Sequence, residues 1–297
     1  MLFPSRSSRS SRSRLRLKPL AVALVFFAPV ALAAGANDVT PPVDLPPPGA
    51  TETSRPPTPT AGACPDGMLE VEGDYCPEVE QRCIKWENER KFRCLEFAPT
   101  APCKKGTSHR HFCMDRYEWP NQAGAVPVVM KTWYEAKAAC GGIGKRLCTD
   151  GEWTLACEGA ERRPYPYGYK RDATACNIDH DHVLPDEKAL SSPDPKKRDA
   201  EVARLWRGEV SGSRARCVSP FGVHDMTGNV DEWVVNEKGK PHQSALKGGY
   251  WSRVRGRCRP ITDGHDEFFF YYQIGFRCCS DPGTSGGGAE ARASHVD

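Results

Sequence analysis

The chain has 297 residues, 27% of them charged, and carries 14 cysteines, 27 glycines and 26 prolines. Its formal charge of +3 includes six cations in the first 18 residues (Arg6, Arg9, Arg12, Arg14, Arg16 and Lys18), so the remainder stands near −3. That balance argues against a nucleic-acid partner, and the even cysteine number points to an oxidising compartment with seven disulfides as the simplest state.

Behind the cationic start, an apolar run from Leu20 to Ala33 closes on Ala31-Leu32-Ala33. A charged, then apolar, then small-x-small order reads as a signal peptide over residues 1–34. The run is shorter than the ~20 residues that a spanning helix needs. Cleavage and no membrane span after it are therefore expected, with an uncleaved anchor as the rival reading. Residues 35–63 contain Pro41, Pro42, Pro46, Pro47, Pro48, Pro56, Pro57 and Pro59 and read as an extended Pro-rich linker. Residues 64–282 hold every cysteine and have the length of one domain with a real core. Residues 283–297, rich in Gly, Ala and Ser, read as a flexible tail. The leader implies export, to a periplasm, a cell surface or the outside.

Thr132-Trp133-Tyr134-Glu135 forms a capping box and predicts a helix through Ala136, Ala139 and Cys140, stopped at Gly141-Gly142. Thr149-Asp150-Gly151-Glu152 opens a second helix through Trp153, Ala156 and Cys157, with Gly159 past its end. The charged stretch Lys196–Trp206 predicts a third, as a surface insertion. Short apolar pieces stand at Val126–Met130, Val230–Val235 and Phe268–Tyr272. The last, an aromatic run, is expected to have strand character and to pack into the core. Between these pieces run long loops whose buried backbone groups need disulfides, trapped water or ions to hold them.

A series of motifs follows in order: Phe112-Cys113-Met114-Asp115-Arg116-Tyr117-Glu118-Trp119-Pro120-Asn121, then Trp133-Tyr134-Glu135-Ala136, then Gly144-Lys145-Arg146-Leu147-Cys148. Tyr165-Pro166-Tyr167-Gly168, Cys176-Asn177 and Phe221-Gly222-Val223-His224-Asp225-Met226-Thr227-Gly228-Asn229-Val230-Asp231-Glu232-Trp233 come next. Lys247-Gly248-Gly249-Tyr250-Trp251 and Ile274-Gly275-Phe276-Arg277 complete the series. Together they resemble the sulfatase-modifying-factor family, whose founding member is the formylglycine-generating enzyme. Gly67-Met68-Leu69-Glu70-Val71 is similar to the family's domain opening. The resemblance implies an α+β fold, a C-type-lectin-like variant with little regular secondary structure that is here disulfide-rich. It also implies that Cys140 pairs with Cys278 or Cys279.

Members of that family bind calcium, and the matching ligands here are the Asp225 and Glu232 side chains with the Gly228 and Val230 carbonyls. Hard cations of this kind want six to eight oxygens, so calcium is expected as a structural ion. Asn177 and Ile178 match the start of a second calcium site whose downstream ligands have no clear counterpart. The family's enzymes also hold copper(I) between two cysteines, two and seven residues beyond the tryptophan that matches Trp251. Those positions are Arg253 and Cys258 here, and a guanidinium cannot ligate a metal. Copper is therefore not expected, and Cys258 is a catalytic candidate only if its thiol is free. Flanking Arg257 and Arg259 would favour a thiolate, but a free Cys258 would strand another cysteine. A disulfide is the simpler state.

Two further groups stand out. Asp179-His180-Asp181-His182, with His109 and His111, has metal-ligand residue types but reads more simply as solvated polar loop and strand. Arg253, Arg255, Arg257 and Arg259 alternate through the segment and suit an acidic ligand or a peptide carboxylate. The expected function is a non-catalytic binding or scaffold module with a ligand groove at Trp251, Arg253 and Arg259. Its partner would be a protein, peptide or glycan. The alternative is an oxidoreductase of the same family with a divergent mechanism.

Overall fold

The computed structural model describes residues 64–283. The expected leader (1–34), the linker (35–63) and the tail beyond residue 283 lie outside the described residues.

Strand β1 (Met68–Tyr75) is followed by a hairpin of β2 (Cys83–Trp86) and β3 (Cys94–Phe97) and then by β4 (Ser108–Asp115). Helix α1 (Trp133–Gly141), strand β5 (Arg146–Leu147) and helix α2 (Asp150–Glu158) form the middle of the chain. After a loop come the short helix α3 (Glu187–Leu190) and α4 (Pro195–Leu205). Strands β6 (Asp231–Val235), β7 (Ser244–Lys247), β8 (Ile261–Thr262), β9 (Ile274–Phe276) and β10 (Cys278–Ser280) end it. One sheet has the order β1-β4-β10-β5 and another β8-β7-β6-β9, with β6 and β9 parallel. Elements are short and loops long, as in the α+β, C-type-lectin-like variant expected.

Both capping boxes form. The Thr132 hydroxyl accepts from Glu135 N–H at 3.1 Å while the Glu135 carboxylate accepts from Thr132 N–H at 2.8 Å. Thr149 and Glu152 repeat the exchange at 3.2 and 2.8 Å. Reciprocal satisfaction of otherwise orphaned N–H groups fixes where each helix starts. Helix α1 buries Trp133, Ala136 and Cys140, and the Trp133 indole donates to the Val234 carbonyl at 2.9 Å.

Seven disulfides join Cys64–Cys113, Cys76–Cys103, Cys83–Cys94, Cys140–Cys278, Cys148–Cys279, Cys157–Cys258 and Cys176–Cys217. The expected bridge from the first helix to the last strand is Cys140–Cys278. Neighbouring residues of a strand point to opposite faces. Cys278 therefore reaches α1 among Trp133, Trp233 and Phe276, and Cys279 reaches Cys148 in the other core, around Trp153 and Met114.

One expectation is corrected here. Phe268–Tyr272 is not a strand, because the Asp266 carboxylate accepts from the N–H groups of Phe268 and Phe269 at 3.0 and 3.1 Å and turns the chain. Phe268 is left 71% exposed, whereas Tyr272 is buried. The apolar piece Val126–Met130 is irregular. The charged third helix does form, as α4, with Asp194 capping it and Pro195 in its first turn.

Candidate functional site

The segment after Trp251 holds the two positions at which the resemblance places cysteines, Arg253 and Cys258 here. Trp251 itself is only 3% exposed and packs edge-on against Trp206 at 5.0 Å and Tyr250 at 5.5 Å. Cys258 is fully buried and bonded to Cys157 of α2, and its N–H donates to the Pro164 carbonyl at 2.9 Å. The condition for a nucleophilic Cys258 is therefore not met; among the described residues no cysteine is free.

The expected groove of Trp251, Arg253 and Arg259 does not assemble as drawn from the sequence. Trp251 belongs to the core. Arg259 turns inward, its Nε donating to the Glu158 carboxylate at 2.7 Å and its terminal nitrogen to the Cys76 carbonyl at 2.9 Å. Burial holds the Glu158 carboxyl above its usual range, and Arg259 is the cation that compensates. Only Arg253 reaches a cavity, with a side chain 58% exposed and an Asp181 carboxylate 3.5 Å away.

That cavity, of about 630 Å³, lies between the β2–β3 hairpin and the arginine segment. Trp86, Phe92 and Phe97 supply apolar wall, and Arg93, Arg171, Arg253, Arg255 and Arg257 supply cations. Arg171 is held by the Asp179 carboxylate at 2.7 and 2.8 Å, Arg93 by Glu87 at 3.2 Å, and Arg255 by Asp231. Arg257 lies over the Phe97 ring at 5.2 Å. Burial, with Arg171 close by, pulls its guanidinium below the usual range. Sequence reasoning saw the arginine row but missed the hairpin wall. Its one signal was Cys83 and Cys94 bracketing Trp86 and Phe92.

The Asp225–Glu232 loop is a second polar centre, and it is buried. Gly228 has φ +81°, and a Cβ there would meet the Asn177 carbonyl oxygen at 2.2 Å, so only glycine fits. Glu232 accepts from Arg277 at 2.6 and 2.7 Å and from the Trp153 indole at 2.8 Å. Asp225 accepts from Gly212 N–H at 2.7 Å. Glu118 takes both of its polar contacts from Asn229 and Ser211, at 2.7 to 3.0 Å. Burial and the charges on Asp225 and Glu232 raise the Glu118 carboxyl well above its usual range, and burial lifts Asp225 to about 6. Three carboxyl groups thus surround one buried guanidinium, Arg277. Asp225 is the carboxylate of the expected calcium set that no guanidinium holds, whereas Glu232 is committed to Arg277. Among the described residues no group of three or more His, Cys, Asp or Glu side chains is spaced as a metal site.

Asn177 and Ile178 link loops. The Asn177 amide donates to Arg207 and Asn229 at 3.0 and 3.1 Å, its Oδ1 meets the His180 ring at 2.8 Å, and Ile178 packs with Cys176 and Cys217. His109 and His111 share one side of β4 and face Glu72, Asp74 and Glu70 across the β1 pairing at 2.8 to 3.3 Å.

Lys247, fully buried beside this centre, donates to the Arg259 carbonyl at 3.0 Å and lies 5.3 Å from the Trp153 ring. Burial lowers it from 10.5 to about 7. The unfolded chain therefore holds the extra proton between those two values, and the stability Lys247 confers grows as pH rises through that window. Lys247→Met is expected to flatten this slope in urea titrations run from pH 7 to 10; an unchanged slope would count against a buried neutral amine.

The sulfatase-modifying factor enzyme 1-like domain matches residues 76–282, and the chain belongs to that family. It is 27% identical over 175 residues to the inactive C-alpha-formylglycine-generating enzyme 2 of Bos taurus, covering 54% of this chain and 52% of that protein. It is 25% identical over 193 residues to the Bos taurus formylglycine-generating enzyme, covering 52% and 44%. A serine/threonine-protein kinase pkn1 of Chlamydia caviae is 32% identical over 152 residues, covering 45% and 20%. The chain spans about half the length, or less, of these curated relatives. Among solved structures, CarF aligns with a TM-score of 0.44 at 16% identity over 72% of this chain and 97% of that one. Treponema denticola variable protein 1 aligns at 0.43 and 15% over 71% and 99%.

Proposed function

We propose that the chain is an exported, non-catalytic binding module of the sulfatase-modifying-factor family, with its ligand seated in the arginine-lined cavity. The observation that carries this reading is the Cys157–Cys258 bridge beside Arg253. A copper(I) pair needs two thiolates, and this segment presents a disulfide and a permanent cation. A relative named inactive supports the same reading. The leader and the seven bridges support export.

The test is thiol titration of the mature protein, unfolded without reductant, together with incubation of a cysteine-containing peptide with the protein, copper(I) and oxygen. No titratable thiol and no peptide aldehyde are expected. A thiol at Cys258 with copper(I)-dependent aldehyde formation would overturn the reading in favour of a divergent oxidoreductase.

Calcium enters this proposal as a structural ion on Asp225 and the Gly228 and Val230 carbonyls, where it would offset the buried negative charge. At a hundredfold excess over its dissociation constant it would add about 2.7 kcal/mol. A rise of several degrees in Tm over the EGTA-treated protein is expected, and Asp225→Asn should remove it. Equal melting with calcium and with EGTA would eliminate the ion.

A further inference from the structure

In the arginine-lined cavity one cation stands apart from the others. Arg171, Arg93 and Arg255 each have a carboxylate of this chain in hand: Asp179, Glu87 and Asp231. Arg257 has neither an ion pair nor a hydrogen bond among the described residues; it lies over the Phe97 ring, with Tyr165 and Arg171 as its electrostatic neighbours. Its nitrogens are not among the sealed, unpartnered atoms, and the residue lines the cavity. A partly buried guanidinium with no counter-charge is stabilised by an anion that enters beside it.

Arg253 says which anion. Its partner is the carboxylate of Asp181, a side chain 93% exposed at 3.5 Å. A contact so loose and so solvated is worth little and is readily displaced by a better-placed group of the same kind. The guanidinium fork matches two carboxylate oxygens, and Trp86, Phe92 and Phe97 offer apolar surface for whatever bears them. The volume, about 630 Å³, is in the range that holds a small organic ligand or a few peptide atoms.

We infer that the cavity binds an organic carboxylate on an apolar body, with Arg257 as the primary anchor and Arg253 as the second, and that its source is an acidic side chain of a peptide. This deepens the binding-module reading and rests on it. The two cations replace the sulfur chemistry of the segment by charge recognition.

The experiment uses the full oxidised chain and calorimetry with acetyl-Phe-Glu-Phe-amide, its Gln counterpart and phenylpropanoate as probes. The Glu peptide is expected to bind at least tenfold tighter than the Gln peptide, with affinity falling as salt rises. Arg257→Gln should weaken it roughly tenfold to a hundredfold, the range for a lost charge-assisted hydrogen bond. Arg257→Lys, which keeps the charge and loses the fork, should fall between. Arg253→Gln, at a mostly exposed position where folding is not at stake, should give a smaller loss. Phenylpropanoate binding as tightly as the peptide would keep the carboxylate site and assign it to a free acid. Equal binding of the Glu and Gln peptides, or wild-type affinity in both Arg257→Gln and Arg253→Gln, would overturn the inference. Failure here with no aldehyde formed from a cysteine peptide would leave the non-catalytic reading standing; aldehyde formation would remove that reading whatever the acidic peptide does.

Discussion

Arg277→Met is expected to cost about 3–5 kcal/mol of stability, the range found when one partner of a buried ion pair is removed. Arg277 is 1% exposed, donates twice to Glu232, and ties in the carbonyls of Asp115, Arg116 and His224 at 3.0 to 3.4 Å. Without it Glu232 is left charged and dry beside Asp225 and Glu118, whose repulsion then has nothing to offset it. The double variant Arg277→Met, Glu232→Gln should recover a substantial part of the loss, because it removes the stranded charge as well as the cation. Urea unfolding of the four proteins in a double-mutant cycle reads the coupling directly. A single-variant loss below about 1 kcal/mol would mean that something other than Arg277 neutralises this centre.

Cys157→Ser should cost about 2–5 kcal/mol, since the bridge to Cys258 closes a loop of 101 residues and loops of that length restrict the unfolded chain strongly. Thiol reagents should find nothing in the native variant, because Cys258 is fully buried, and one group per chain after unfolding. The freed sulfur is not expected to gain copper(I)-dependent oxidase activity, because Arg253 stands where its companion ligand would be. Wild-type melting in this variant would show that the two cysteines are not joined in the native protein.

How legible the molecule is in its sequence depends on the range of the interactions. Helices α1 and α2 are written in four-residue signals, Thr132–Glu135 and Thr149–Glu152, and both start where those signals place them. Helix α4 is expected from the charged run Lys196–Trp206, whereas its Asp194 cap and the Pro195 start are seen only in the structure. The family motifs place the domain, and residues 76–282 match it. The Cys140 bridge was narrowed to two neighbours, and strand alternation decides between them. Partners distant in sequence were not legible. Nothing near Arg259 announces Glu158, 101 residues away, and so a residue expected in the groove is the counter-ion of a buried carboxylate. The aromatic run at Phe268–Tyr272 misleads for the opposite reason: a local Asp266 cap overrides the strand propensity of five aromatic residues. Arg257 is legible as a cation but not as a lone one, because its lack of a carboxylate becomes visible only when its neighbours' partners are known.

Strand β10 sits inside its sheet, between β4 and β5, and is cross-linked on one side across 138 residues and on the other across 131. Its residues are among the last of the domain to leave the ribosome. The earlier part of the domain therefore waits, with the flank of β4 open and Cys140 and Cys148 unmatched, until β10 has emerged. Truncation only a few residues short of Cys278 would remove both long cross-links and the central strand in one step, whereas a fusion beyond residue 283 would leave them whole.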